Sequence, residues 1–311
     1  MLAYLSGDPL RYPPGVLSVL IVNWNTRDKL RACLASLQDC GHEVIVVDNA
    51  SSDGSAAMVQ ESFPWVKLLE PGGNTGYAAG NNIAMAHASG AFLLTLNPDT
   101  EVPVGALDKA LWILQEHPEC GCLAPRLQGP EGEIQASVRG FPTMLGVLGA
   151  FLKLDRLFPR SVLGSYRLPA FDYSREQYAA QPMGTFLLFR RQALEALRGG
   201  GEDLASGLRP FDESFPIFFN EVDLLRRMED TGWKTLFTPA ITILHHHGSS
   251  TKQVKKPMIW ESHRSLMRYL HKHTKGMARF VLPLFALIVW AGALIRARGI
   301  YAGFRPDHHD L

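Results

Sequence analysis

Four short apolar runs, each followed by a segment with helical spacing, constrain this chain more than any other feature. The runs are Leu17–Asn23 (LSVLIVN), Glu43–Val47 (EVIVV, ending at Asp48), Val66–Leu69 and Ala91–Leu96 (AFLLTL). Their length and continuity predict buried strands. Between them, Leu30, Cys33, Leu34 and Leu37 fall at helical spacing in Arg27–Leu37. Ser51, Ser52 and Asp53 offer N-caps to a helix through Met58 to Glu61. Tyr77–His87 is a small-residue helix after a glycine-rich turn, and Leu107–Glu116 is a helix closed by a proline. Such alternation predicts an α/β fold with a parallel sheet and right-handed crossovers. Ligands of these sheets bind beyond the carboxyl ends of the strands. The polar clusters Asn23–Asn25, Asp48–Asn49, Gly72–Gly76 and Asn97–Asp99 all fall at that edge, which is therefore the expected site.

A chain of 311 residues has room for one large α/β domain and a small appendage, and 46% apolar content supplies its core without disulfides. A net charge of +1 excludes a global nucleic-acid footprint, and no nucleic-acid partner is expected. Cys33, Cys40, Cys120 and Cys122 have neither zinc-knuckle nor disulfide-framework spacing and read as buried or free thiols in a reducing cytosol. The chain opens without a basic stretch followed by an apolar one, so no secretory signal is expected, and residues 1–15 read as a loose leader. Residues 129–182 are less regular, with an apolar stretch at Met144–Leu154. Gly184–Phe189 is a further strand with a short helix from Arg191, Glu221–Asp230 an amphipathic helix, and Thr235–Leu244 a strand leading into His245-His246-His247.

Several of these residues can carry chemistry. Asp48, at a strand tip, can accept hydrogen bonds from a nucleobase or ribose, or simply cap a helix. Asn97-Pro98-Asp99 is good turn chemistry; a carboxylate there can also hold a hard divalent cation that bridges two phosphates. The histidine triplet offers imidazole ligands, with His245 and His247 on the same side of an extended segment. Asn220-Glu221-Val222-Asp223 opens a helix, where the dipole favours carboxylates and where one can serve as a general base. Gly72-Gly73-Asn74-Thr75-Gly76 allows close backbone approach to a ligand but is neither a Walker A loop nor a full dinucleotide fingerprint.

Together these segments resemble the family 2 glycosyltransferases of the GT-A fold, in particular the rhamnosyltransferase-like branch. The resemblance runs from about Leu17 to Thr251 and rests on VLIVNWNTRDKLRACLASL, VIVVDNASSDGS, GGNTGYAAGNN, LLTLNPDTEV, QASVRGFPT, MGTFLLFRR, FDESFPIFFNEVDLLRRMEDTGW and HHHGSS, in that order. It implies a GT-A domain over residues 16–255, with a helical extension over 256–311. It implies that Asp48 and Asn49, with Asn23 and Asn25 beside them, hold the base and ribose, and that Asn74, Gly76 and Asn81 line the nucleotide side. Asp99, following Asn97, resembles the metal-binding end of the family's Asp-x-Asp motif. His245, with His247 second, matches the metal or pyrophosphate histidine. Gly184 falls where the sugar pocket narrows, and Arg227 matches the arginine after the base. The implied cofactor is Mg²⁺ or Mn²⁺ and the donor a nucleotide-sugar, dTDP-rhamnose before UDP-sugars. The implied acceptor is a glycan or lipid-linked sugar of cell-surface polysaccharide synthesis.

Two departures stand out. Asn97 replaces the first acid of Asp-x-Asp. Asn220-Glu221 stands where the family carries Glu-Asp, so the base falls on Glu221, one methylene longer, with Asp223 as the fallback. The implied chemistry is a single inverting displacement, with no covalent enzyme nucleophile needed. A nucleotidyltransferase on a similar scaffold would carry a Gly-rich, basic loop after the first strand, where this chain has Asn23-Trp24-Asn25-Thr26. A non-catalytic relative would be favoured only by the Asn220-Glu221 change, and a nucleic-acid binder only by the basic tail.

The last sixty residues change character: Lys252–Arg279 is basic, and Phe280–Ile295 almost purely apolar. Sixteen apolar residues fall short of the roughly twenty needed to cross a bilayer. Flanking Lys and Arg suit residues 256–298 lying on the inner face of the plasma membrane. The alternatives are a core helix or an oligomer contact.

Overall fold

The computed structural model describes residues 16–197, 207–246 and 255–298. In chain order, β1 (Leu17–Asn23), α1 (Arg27–Ser36), β2 (Glu43–Asp48), α2 (Ser55–Ser62), β3 (Lys67–Leu69), α3 (Tyr77–Ala86), β4 (Phe92–Leu96) and β5 (Thr100–Glu101) come first. Then follow α4 (Ala106–Glu116), β6 (Cys120–Gln128), β7 (Val138–Arg139), α5 (Met144–Phe151), α6 (Leu154–Leu157), β8 (Gln177–Tyr178), β9 (Gln181–Pro182), β10 (Phe186–Arg190) and α7 (Arg191–Glu195). Last come α8 (Asn220–Asp230), β11 (Lys234–His245), α9 (Lys255–His273) and α10 (Leu282–Ala297).

The main sheet runs β3-β2-β1-β4-β10-β6-β11-β5. Its first four strands are parallel, as the alternation predicts. β10 then inserts antiparallel to both β4 and β6, so the sheet is mixed. Every residue of β1 and β4 is buried, because one hydrophobic cluster packs on each sheet face. That double burial explains why these strands are continuously apolar rather than alternating.

The register does the positioning. Asn23 pairs with Asp48 at the carboxyl end of β1 and β2. β5 pairs antiparallel with the far end of β11, Thr100 opposite His245. A two-residue strand thus carries the turn after β4 to the last residue of β11.

Two expectations need correction. α2 starts at Ser55 after Gly54 at φ 83°, and none of Ser51, Ser52 or Asp53 is its N-cap residue. Asp53 instead accepts from the Ser55 amide at 3.0 Å and the Arg27 amide at 2.8 Å, tying α2 to the start of α1. The tail helix is longer than its apolar run: a 3₁₀ turn over Gly276–Val281 continues into α10, giving 22 residues, long and apolar enough to cross a membrane. The leader, residues 1–15, lies outside the described residues. α9 and α10 share a cluster with Phe215, Val222 and α5, so the extension packs directly on α8.

Candidate active site

The predicted nucleotide side is a layered hydrogen-bond network. Asn23 donates from Nδ2 to Asp48 Oδ1 at 2.8 Å, and the Ser51 amide donates to Asp48 Oδ2 at 2.9 Å. Thr26 Oγ1 donates to Asn23 Oδ1 at 2.6 Å, which fixes the flip of the Asn23 amide. Asp48 and Asn23 are buried, whereas Asn25 is only part-buried. Asn25 Oδ1 accepts from the Ser52 amide at 2.8 Å, so the two loops after β1 and β2 are cross-tied.

Asn49 builds the glycine loop. It donates to the Gly76 carbonyl at 3.0 Å and accepts from Thr75 Oγ1 at 3.0 Å. Asn74 accepts from the Gly76 amide at 3.0 Å, an Asx turn within the loop. Gly76 has φ 85° and ψ 173°, a region that essentially only glycine occupies. A Cβ there would stand 2.9 Å from the Pro216 carbonyl oxygen, which accepts from the Tyr77 amide at 2.7 Å. Asn81 is buried behind Tyr77, donating to its carbonyl at 2.9 Å. Its Oδ1 has no protein partner among the described residues.

The predicted metal side centres on His245. Gln135 donates from Nε2 to the His245 carbonyl at 2.9 Å, which fixes the orientation of the Gln135 amide. Its Oε1 therefore faces His245 Nδ1, at 2.7 Å, and can only accept. The proton belongs on Nδ1, which makes Nε2, 3.5 Å from Asp99 Oδ1, the ring nitrogen suited to ligate a metal. Two donor atoms on one divalent ion, bonded at about 2.1 Å, lie about 3.0–3.5 Å apart. The carboxylate–imidazole pair therefore fits a transition-type divalent cation. His246 turns away to Glu101, at 2.7 Å. His247, the second predicted ligand, lies outside the described residues.

Tyr77 ties this side to the predicted base. Its hydroxyl donates to Asn97 Oδ1 at 3.2 Å and lies 3.3 Å from the Gly184 carbonyl. Burial raises the Tyr77 hydroxyl's pKa, and the charges of Glu221 and Asp99 add to the rise, so it stays a neutral donor. Gly184 sits against Glu221: a Cβ there would lie 3.4 Å from Glu221 Cγ, so a larger residue would crowd the carboxylate. Burial pushes the Glu221 carboxyl up to about 7, against the pull of the Glu221 and Val222 amides at the start of α8. Phe219, just before, has φ 66°, a conformation unusual for a bulky residue and a mark of a constrained helix start. Asn220 is buried and donates to the Ile217 carbonyl at 2.6 Å. Asn at this position therefore serves the turn that launches the helix.

Asp223, the fallback base, is committed elsewhere. It is buried and bonded to Arg227 Nε, Lys272 Nζ and His273 Nε2, each at 2.8 Å. Burial pushes its carboxyl up, but His273, Arg227 and Lys272 together outweigh this and hold it down at about 2. A carboxylate that acidic is a poor proton acceptor. Arg227 likewise donates from Nε to Asp223 and from Nη2 to the Pro210 carbonyl. Asp223 thus locks α8 to α9, and Arg227 ties α8 to the segment before it.

A mixed sheet whose carboxyl edge gathers a carboxylate–imidazole pair, a glycine loop and a half-buried acid is the framework of a GT-A glycosyltransferase. The profile of glycosyl transferase family 2 matches residues 18–198, more than half of the chain, and the chain belongs to that family. It is 28% identical over 284 residues to N-acetylglucosaminyl-diphospho-decaprenol L-rhamnosyltransferase of Mycobacterium tuberculosis, with 85% of this chain and 87% of that one covered. In fold it is similar to mannosyltransferase PcManGT from Pyrobaculum calidifontis in complex with GDP-Man and Mn²⁺ (TM-score 0.54, 19% identity, 96% of this chain and 79% of that one). It is also similar to S. aureus TarS 1–349 in complex with UDP (TM-score 0.51, 17% identity, 92% and 72% covered). The rhamnosyltransferase-like resemblance and the GT-A fold both hold.

Proposed function

We propose that this glycosyltransferase is an inverting, divalent-metal-dependent enzyme. In this reading it moves L-rhamnose from dTDP-rhamnose onto a lipid-linked diphospho-sugar at the inner face of the cytoplasmic membrane, in cell-surface polysaccharide synthesis. One observation carries the mechanism. The Tyr77 hydroxyl bonds the turn before Asp99 and reaches the Gly184 carbonyl beneath Glu221, so the cation side and the base side form one cleft. The M. tuberculosis relative supports the choice of sugar and acceptor.

Glu221 is the base. The acceptor hydroxyl oxygen bonds to the anomeric carbon from the face opposite the diphosphate. The carbon–oxygen bond to the diphosphate breaks, its electron pair leaves with the phosphate, and the hydroxyl proton passes to Glu221. A carboxyl titrating near 7 holds that proton better than an ordinary one and is still largely ionised slightly above neutrality. Asp99 and His245 Nε2 would hold a cation that neutralises charge on the departing diphosphate. Asp48, Asn23 and Asn25 orient the nucleoside, Asn49, Asn74 and Gly76 shape the loop over the diphosphate, and Asn81 braces Tyr77. The test is turnover with dTDP-rhamnose, UDP-sugars and GDP-mannose on a short-chain polyprenyl-diphospho-N-acetylglucosamine. dTDP release with a single product of inverted configuration is expected; turnover with a UDP-sugar alone would replace the rhamnosyl assignment.

A further inference from the structure

α10 is apolar around its whole circumference, and only one side of it is covered. Leu282, Phe285 and Val289 are buried against Tyr269 and Leu270 of α9 and Met144, Val147 and Leu148 of α5. On the opposite side Leu284, Leu287, Ile288, Leu294 and Ile295 recur at helical spacing and remain 39–67% exposed. A helix facing water carries polar residues there. The apolar surface continues beyond α10. A Cβ on Gly292 would stand 3.4 Å from Phe151 Cε2, so α10 and the end of α5 touch. From that contact Phe151, Leu152, Leu157, Phe158 and Val162 extend the surface, 43–71% exposed.

Charge identifies what covers it. Lys153, Arg156 and Arg160 on the first segment, and Lys275, Arg279 and Arg298 on the second, are exposed around the apolar residues. The one acid between residues 144 and 168, Asp155, is buried and paired with Arg167 at 3.6 Å, and residues 274–298 contain none. An apolar surface ringed by cations alone suits an anionic bilayer, whose headgroups meet the Lys and Arg while the side chains enter the acyl boundary.

We propose that the α5–α6 segment and α10 form one lipid-docking surface for an anionic bilayer. α10 is held along one side by α5 and α9, so it lies in the interface and does not cross the membrane. Val222, the neighbour of Glu221, belongs to the same cluster as the buried side of α10, so docking sets the acceptor side of the cleft against the bilayer. The proposal deepens the lipid-linked acceptor reading and rests on it.

The experiment is flotation of the full-length protein with phosphatidylcholine vesicles with and without phosphatidylglycerol, at low and high salt. Two double variants accompany it: Leu157→Glu with Phe158→Glu, and Leu287→Glu with Ile288→Glu. Wild type should float with the anionic vesicles and lose binding as salt rises. Each double variant should bind at least about tenfold less, while keeping its circular dichroism and its transfer to a water-soluble, short-chain acceptor. Wild-type binding with no loss in the α5–α6 variant would overturn the two-segment surface. So would indifference of the wild type to vesicles, or a dimer in light scattering that both variants dissociate. Failure of transfer to the soluble acceptor, with vesicle binding intact, would sink the acceptor reading and leave the surface standing.

Discussion

Replacing Glu221 with Gln keeps its shape and removes its charge, and two effects of opposite value follow. The carboxyl titrates near 4.5 in an unfolded chain and near 7 in the folded one because burial disfavours its ionised form. The folded state therefore binds the proton more tightly, and its stability falls as pH rises between those two values. Integrated over the window, the loss is at most about 3 kcal/mol, complete above pH 7 and absent below pH 4.5. Glu221→Gln should thus unfold at higher urea than wild type at pH 8 and at nearly the same urea at pH 4.5. Turnover should fall by roughly 10²–10⁴ with donor binding kept. In wild type, kcat/KM should rise with pH through about 7, and the variant should lose that limb. Unchanged urea midpoints at pH 8 together with near-wild-type turnover would refute the reasoning, because Glu221 would then be neither buried nor the base.

Asp223→Asn leaves Arg227, Lys272 and His273 without their shared anion, and should cost about 3–5 kcal/mol in urea unfolding. The Asp223 charge stabilises the fold above pH 4 and is lost as pH falls toward 2, so the variant should show a flatter acid limb. Turnover per folded molecule should survive; its abolition would return the base role to Asp223. Gln135→Leu frees His245 to take either tautomer and should weaken Mn²⁺-dependent nucleotide binding by about 10–100-fold, with metal-free binding unchanged. Gly76→Ala meets the Pro216 carbonyl in a glycine-only conformation and should weaken nucleotide binding through about 1–3 kcal/mol of strain, seen as a raised Kd.

The parallel strands and the polar edge were legible because β1, β2 and β4 are buried on both faces and interrupted only where they meet the site, whereas β3, at the sheet edge, is shorter than expected and only partly buried. Asp48, Asn97 and Asp99 could be singled out on that ground alone. Gln135 could not: it sits in an irregular segment, and its role exists only because Leu127 and His245 come together through the β6–β11 pairing. Tyr77 reads in sequence as the first residue of a small-residue helix, and only the fold brings its hydroxyl to Asn97. The partners of Asp223 were hidden for the same reason. Lys272 and His273 lie fifty residues away, in a tail that composition marks as basic without saying what it pairs with. The α2 cap was misplaced because three polar residues in a row give no preference, while Gly54 takes the left-handed turn.

The most direct test of the donor-site claim is calorimetry of dTDP, UDP and GDP binding to wild type and Asp99→Ala, each with Mn²⁺, Mg²⁺ or EDTA. The carboxylate–imidazole pair predicts tight binding of one nucleotide that depends on the metal in wild type and loses that dependence in the variant. Equal affinity with Mn²⁺ and with EDTA in the folded wild-type protein would contradict a cation held by Asp99 and His245.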